Sequence, residues 1–173
     1  LFSDTILQKE AVFMFATSTY NGNREENYEV VIKQLDALLA GETNTIANLA
    51  NASALLNQFL NDINWVGFYL TEGTQLVLGP FQGLPACVRI PFGRGVCGTA
   101  AATKQTQLVA DVHQFPGHIA CDAASNSEIV VPMIKNDQVI GVLDIDSPSK
   151  ARFDETDQLY LEKFVSVLMK YVN

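Results

Sequence analysis

Few residues in this chain are able to do chemistry. It carries three cysteines, Cys87, Cys97 and Cys121, and two histidines, His113 and His118. A thiolate is a nucleophile, a metal ligand or one half of a redox pair. Three thiols cannot all be paired within one chain, and they are too few for a disulfide scaffold. A reducing, cytoplasmic setting with reduced or reactive thiols is therefore expected. Cys97 lies in Gly95-Val96-Cys97-Gly98-Thr99, at the expected start of a short helix. Free backbone N–H groups there would lower a thiol pKa, although the flanking glycines equally suit close backbone packing. Cys87 follows Pro85-Ala86 in a loop, and Cys121 lies in the polar segment His118-Ile119-Ala120-Cys121-Asp122. Each also fits a small buried hydrophobe, the common state of a free cysteine. A zinc site would have to use Cys87, Cys97, His118 and Cys121, and their spacing matches no common finger or ribbon. No metal is expected. A Cys–His pair needs side-chain contact, which spacing does not supply, so both histidines equally suit ordinary loop positions.

The carboxylates offer a second pattern. Asp144 and Asp146 are two residues apart in Ile140-Gly141-Val142-Leu143-Asp144-Ile145-Asp146. On a strand, positions i and i+2 share a face, which puts Leu143 and Ile145 on the other. Glu128 begins a neighbouring strand and is able to join them. Acids gathered in this way are costly unless a cation binds or one of them keeps its proton. Such a recess suits an ammonium group, and a retained proton can be given to a substrate oxygen. The plainer alternative is that Asp146 makes a turn with Ser147-Pro148 and Glu128 is solvated. Trp65 and Tyr69 share a strand face and either wall a small pocket or fill the core.

These side chains need a scaffold to position them. The chain has 173 residues, enough for one ordinary domain, with 48% hydrophobic and 17% charged residues, so a packed core is expected. The net charge is −8 and the basic residues are scattered singly, which disfavours nucleic acid and anionic membrane as partners. No apolar run is long enough for a membrane span, and Leu1 to Ala16 lacks the basic lead of a secretory signal. Residues 1–26 show no clear periodicity and are taken as an N-terminal extension of open role, with residues 27–173 as a single domain.

Helical spacing predicts a helix from Tyr28 to Ala40, stopped at Gly41. A second helix, capped at Thr43, presents Ile46, Leu49, Ala50, Leu56 and Phe59. Strands are predicted over 64–70, 75–78, 88–90, 107–110, 129–134 and 139–145, with turns at Glu72-Gly73-Thr74 and Asn136-Asp137. A short helix over 96–104 interrupts them. Residues 111–127 form a long loop holding both histidines, and loops of that length are usually functional. Asp154 opens a last helix with Leu159, Phe164, Val167, Leu168 and Tyr171 on its buried side. This order predicts an α+β fold: one antiparallel sheet, helices mainly on one face, and a loop-covered pocket on the other. The terminal helices are candidates for a homodimer contact that nothing in the sequence demands.

Several segments together resemble a known family. They are Asn64-Trp65-Val66-Gly67-Phe68-Tyr69, GPFQGLPACVRIPFGRGVCGTA from Gly79, VADVHQFPGHIACDAASNSEIVVP from Val109, and IGVLDIDSP from Ile140. The resemblance is to the free methionine-(R)-sulfoxide reductases, stand-alone GAF-domain proteins, and runs from about Tyr28 to the C-terminus. It implies a GAF fold and a thiol-based, thioredoxin-dependent reductase of free methionine sulfoxide with no bound cofactor. It implies Cys121 as the attacking cysteine, with Cys87 and Cys97 as resolving or auxiliary thiols. It assigns Glu128, Asp144 and Asp146 to the substrate pocket, and Trp65 and Tyr69 to its methyl and thioether side. The rival is a non-catalytic GAF sensor of a small molecule, which has no need of three cysteines in loops.

Overall fold

A computed structural model describes residues 19–117 and 123–173. His118 and Cys121 lie outside the described residues. Helix α1 (Arg24–Leu39) begins four residues earlier than hydrophobic spacing indicates, because Asn23 and Glu26 form a capping box ahead of the apolar stripe. Such a cap contributes about 1 kcal/mol. Helix α2 (Thr45–Phe59) is capped by Asn44 rather than Thr43. Its buried stripe runs Asn48, Leu49, Ala52, Ser53 and Leu56, which leaves Ile46 and Ala50 exposed, contrary to expectation. Asn48 holds its inward place by donating to the carbonyls of Glu42 and Tyr171.

The remaining elements alternate as predicted; the four long strands run further than expected, while the third keeps its length and the fourth is one residue shorter. They are β1 (Trp65–Glu72), β2 (Gln75–Gly83), β3 (Arg89–Pro91), α3 (Gly95–Thr103), β4 (Gln107–Val109), β5 (Ser127–Lys135), β6 (Gln138–Ser147) and α4 (Glu155–Leu168). The strands form one antiparallel sheet in the order β3-β2-β1-β6-β5-β4. Asn136 and Asp137 both have positive φ, at 51° and 62°, as the two-residue turn joining β5 to β6 requires.

Side chains alternate across this sheet, and each face has its own core. Val66, Phe68, Ile129, Val131, Leu143 and Ile145 face α1, α2 and α4. Trp65, Tyr69, Val130 and Val142 face the other way, against α3 and the loops. The buried side of α4 is Leu161, Phe164, Val165 and Leu168; Leu159 falls off this stripe and is exposed. Asp157 ties α4 to α1, accepting from the Tyr28 hydroxyl at 2.6 Å and pairing with Arg24 and Arg152. On the opposite face α3 packs closely because Gly98 has no side chain: a Cβ there would lie 2.4 Å from the Pro91 carbonyl oxygen. None of the helices among the described residues is long and apolar enough to cross a membrane.

Candidate active site

The pairing register brings several of the predicted residues together. Glu128 of β5 lies opposite Asp146 of β6, which in turn lies opposite Trp65 of β1. One step along, Asp144 sits between Val130 and Gly67. Because directly paired residues share a face, the three acids and Trp65 point to the same side of the sheet. Gly67 is needed here, since a Cβ would come within 2.3 Å of the Phe81 Cβ. That lets Phe81 stack on Trp65 at 5.1 Å between ring centroids, while Tyr69 stacks on it at 5.9 Å.

These groups line one pocket. Its floor is Glu128, Asp144 and Asp146; its aromatic wall is Trp65 and Tyr69. Val96 and Cys97 close it from α3, and Pro85, Ala86 and Ile90 from the segment around Cys87. The sequence left core and pocket as alternatives for Trp65 and Tyr69; each is 2% exposed and also lines the cavity. Both hold the loop after β2. Trp65 Nε1 donates to the Leu84 carbonyl at 3.1 Å, and the Tyr69 hydroxyl donates to the Cys87 carbonyl at 3.0 Å. The aromatic wall thus also fixes the backbone of Cys87.

The electrostatics follow from burial. Glu128 and Asp144 are 7% and 6% exposed. Burial, then the charges of Asp144 and Asp146, push the Glu128 carboxyl well above the usual carboxylate range. Burial pushes Asp144 up to about 6. The two acids lie side by side, and the charge of Asp144 disfavours ionisation of Glu128. Asp144 Oδ1 nevertheless has no hydrogen-bond partner. A buried acceptor in that state favours a donor arriving from the pocket.

The helix-start argument for Cys97 is overturned. Its thiol is pushed up, not down, by burial first and then by Asp144 and Glu128. Burial is the larger cause, and the two facing carboxylates add to it. Cys97 is a free thiol with Sγ 3.9 Å from Glu128 Oε1, whereas Cys87 is disulfide-bonded. The donor atoms of Cys97, Glu128 and Asp144 lie within 4.8 Å of one another. His113 makes a local contact, 2.9 Å from Asp111 Oδ1.

Sequence reasoning missed Ser125 and Arg94, which also line the pocket. Ser125 is buried and accepts from Asn64 Nδ2 at 3.1 Å. Its proximity to Glu128 in the sequence was the only available sign. Arg94 precedes α3 and is the one cationic side chain lining the pocket among the described residues.

An antiparallel sheet with three helices on one face and a pocket under α3 and the loops on the other has the GAF arrangement, and residues 49–169 match the GAF domain family. Within it, the chain is 59% identical over 148 residues to the free methionine-R-sulfoxide reductase of Escherichia coli, covering 86% of this chain and 90% of that one. It is 58% identical to protein YtsP of Bacillus subtilis, over 91% of this chain and 98% of the relative. The X-ray structure of free methionine-R-sulfoxide reductase from Neisseria meningitidis in complex with its substrate superposes with a TM-score of 0.86 at 47% identity, covering 90% of this chain and 94% of that one. The chain belongs to the free methionine-R-sulfoxide reductase family of GAF-domain proteins.

Proposed function

We propose that this protein reduces free L-methionine-(R)-sulfoxide to methionine, with Cys121 as the nucleophile and an external dithiol, thioredoxin, as the reductant. The observation that carries the substrate is the buried acidic floor with an unpartnered Asp144 Oδ1 beneath an aromatic wall. A free amino acid brings an ammonium to that floor, and a residue within a peptide does not. Acids left unpaired by the wrong substrate give strong discrimination. Trp65 and Tyr69 receive the thioether, and Arg94 is the candidate partner of the carboxylate.

Three facts support Cys121. Cys87 is in a disulfide, Cys97 is a free thiol, and the chain has three cysteines. Cys121 is also four residues from Ser125, a pocket residue, and four residues span at most about 14 Å. The Cys121 thiolate attacks the sulfoxide sulfur while Glu128, which retains its proton, protonates the oxygen. Methionine departs, and Cys121 carries the oxygen as a sulfenic acid. The Cys87 thiol displaces water from it to form a disulfide, and the external dithiol reduces that disulfide by exchange. No bound cofactor enters this sequence, and a reducing cytoplasm maintains it.

The test couples thioredoxin, thioredoxin reductase and NADPH to free methionine-R-sulfoxide and to its N-acetyl derivative. NADPH loss with the free amino acid, at least 100-fold less with the derivative and none with Cys121→Ser, is expected. No loss with the free amino acid would instead indicate a ligand sensor. Equal turnover of both compounds would remove the ammonium role of the acids.

A further inference from the structure

We propose that Cys97, Glu128 and Asp144 form a binding site for one thiophilic divalent cation, of the zinc or cobalt type, in the reduced protein. Their three donor atoms already lie within 4.8 Å of one another, with Cys97 Sγ 3.9 Å from Glu128 Oε1. A tetrahedral zinc with Zn–S about 2.3 Å and Zn–O about 2.1 Å needs sulfur–oxygen separations of about 3.6 Å. The protein therefore has to contract by only a few tenths of an ångström along that edge. The ligands come from three separate elements, α3, β5 and β6, whose mutual positions are fixed by the sheet register and the close approach of α3 at Gly98.

Asp144 points independently to a ligand. It is 6% exposed, lines the pocket and leaves Oδ1 without a hydrogen-bond partner. A cation would satisfy that oxygen. One thiolate and two carboxylates fill three positions, and the fourth opens onto the pocket, the pattern of an accessible rather than a closed zinc site. Binding releases the thiol and carboxylic protons to the buffer. The cation would occupy the place assigned above to the substrate ammonium. It is therefore an inhibitor of the proposed reaction, a consequence that rests on the substrate assignment; the metal site itself does not.

The experiment is an anaerobic cobalt titration of the full-length, fully reduced protein. We expect one equivalent to bind with a sulfur-to-cobalt charge-transfer band. Cys97→Ser should abolish the band and weaken cobalt binding at least tenfold, with folding checked by circular dichroism. Asp144→Asn should weaken binding at least tenfold while keeping the thiol. Cys87→Ser and Cys121→Ser should each retain the band and the stoichiometry. Absence of a band in the parent protein, or its survival in Cys97→Ser, overturns the proposal. Addition of free methionine should raise the apparent cobalt Kd. If cobalt binds through Cys97 and methionine has no effect on it, the metal site stands and the substrate assignment fails.

Discussion

Replacing Asp144 with Asn should stabilise the protein at neutral pH and give no such gain in acid. Asp144 is pushed up by burial to about 6 from an ordinary value of 3.8. A carboxyl with a higher pKa in the folded state holds its proton more tightly there than in the unfolded chain. Its contribution to stability is complete below pH 3.8 and is lost as pH rises through about 6. At 1.36 kcal/mol per pH unit, that gap corresponds to a penalty of about 3 kcal/mol at pH 7.5. Asparagine keeps the shape and never ionises. It also removes one negative neighbour from Glu128, whose own carboxyl is raised partly by Asp144. The advantage of the variant over the parent should therefore grow by about 2 kcal/mol between pH 4 and pH 7.5, part of the penalty being already present at pH 4, equivalent to about 4–8 °C in Tm for a domain of this size. Urea unfolding of both proteins, held reduced throughout, measures it. Since Asn also loses a partner for the ammonium, kcat/KM should fall in the more stable variant. Parallel pH profiles for the two proteins would refute the claim that the recess holds charge against burial. So would a variant that loses more stability at pH 7.5 than at pH 4.

The thiol roles separate under single turnover. Cys87→Ser should release one equivalent of methionine per enzyme, accumulate a sulfenic acid that a carbon nucleophile traps, and fail to recycle with thioredoxin; release of no methionine would place Cys87 earlier in the chemistry. Tyr69→Phe removes the hydroxyl that holds the Cys87 carbonyl. A hydrogen bond of about 0.5–1.5 kcal/mol predicts disulfide formation slowed by about 2–12-fold, read by quenched thiol alkylation, and an unchanged rate would remove the positioning role. Arg94→Ala should raise KM for the free acid at least fivefold and leave the methyl ester of methionine-R-sulfoxide unaffected, as steady-state kinetics would show; equal effects on acid and ester would free the carboxylate from Arg94.

Alternation made much of this legible. Strict two-residue spacing set Asp144 and Asp146 on one face and Leu143 and Ile145 on the other, and the helix face of the sheet follows from the same count. Helix stripes were read less well. Ile46 and Leu159 are apolar and exposed, because the stripe in α2 passes through a polar Asn48 and that in α4 begins at Asp157. Composition has no way to announce that a polar residue holds an inward position by hydrogen bonding to distant carbonyls. The Cys97 thiol was misjudged for a related reason. Its local sequence shows the helix start, whereas the burial that raises the thiol most, and the acids of β5 and β6 that add to it, come from elements distant in the chain.

The decisive feature was invisible in spacing alone. The turn at Asn136-Asp137 pairs Lys135 with Gln138 and Ile134 with Val139. Continued without interruption, that register would place Glu128 opposite Ile145, whose side chain belongs to the helix-facing core. The register instead shifts between Met133 and Ile134: Met133 pairs with Gly141, leaving Ile140 as the extra residue on β6. A one-residue bulge changes which face a paired residue shares. Beyond it, Glu128 meets Asp146 and Val130 meets Asp144, so all three acids reach the pocket face while Ile129 and Ile145 meet in the core. The same irregularity therefore serves both sides of the sheet. Without it, either the acids would be split between the faces or an acid would enter the apolar core, where an unpaired charge is prohibitive.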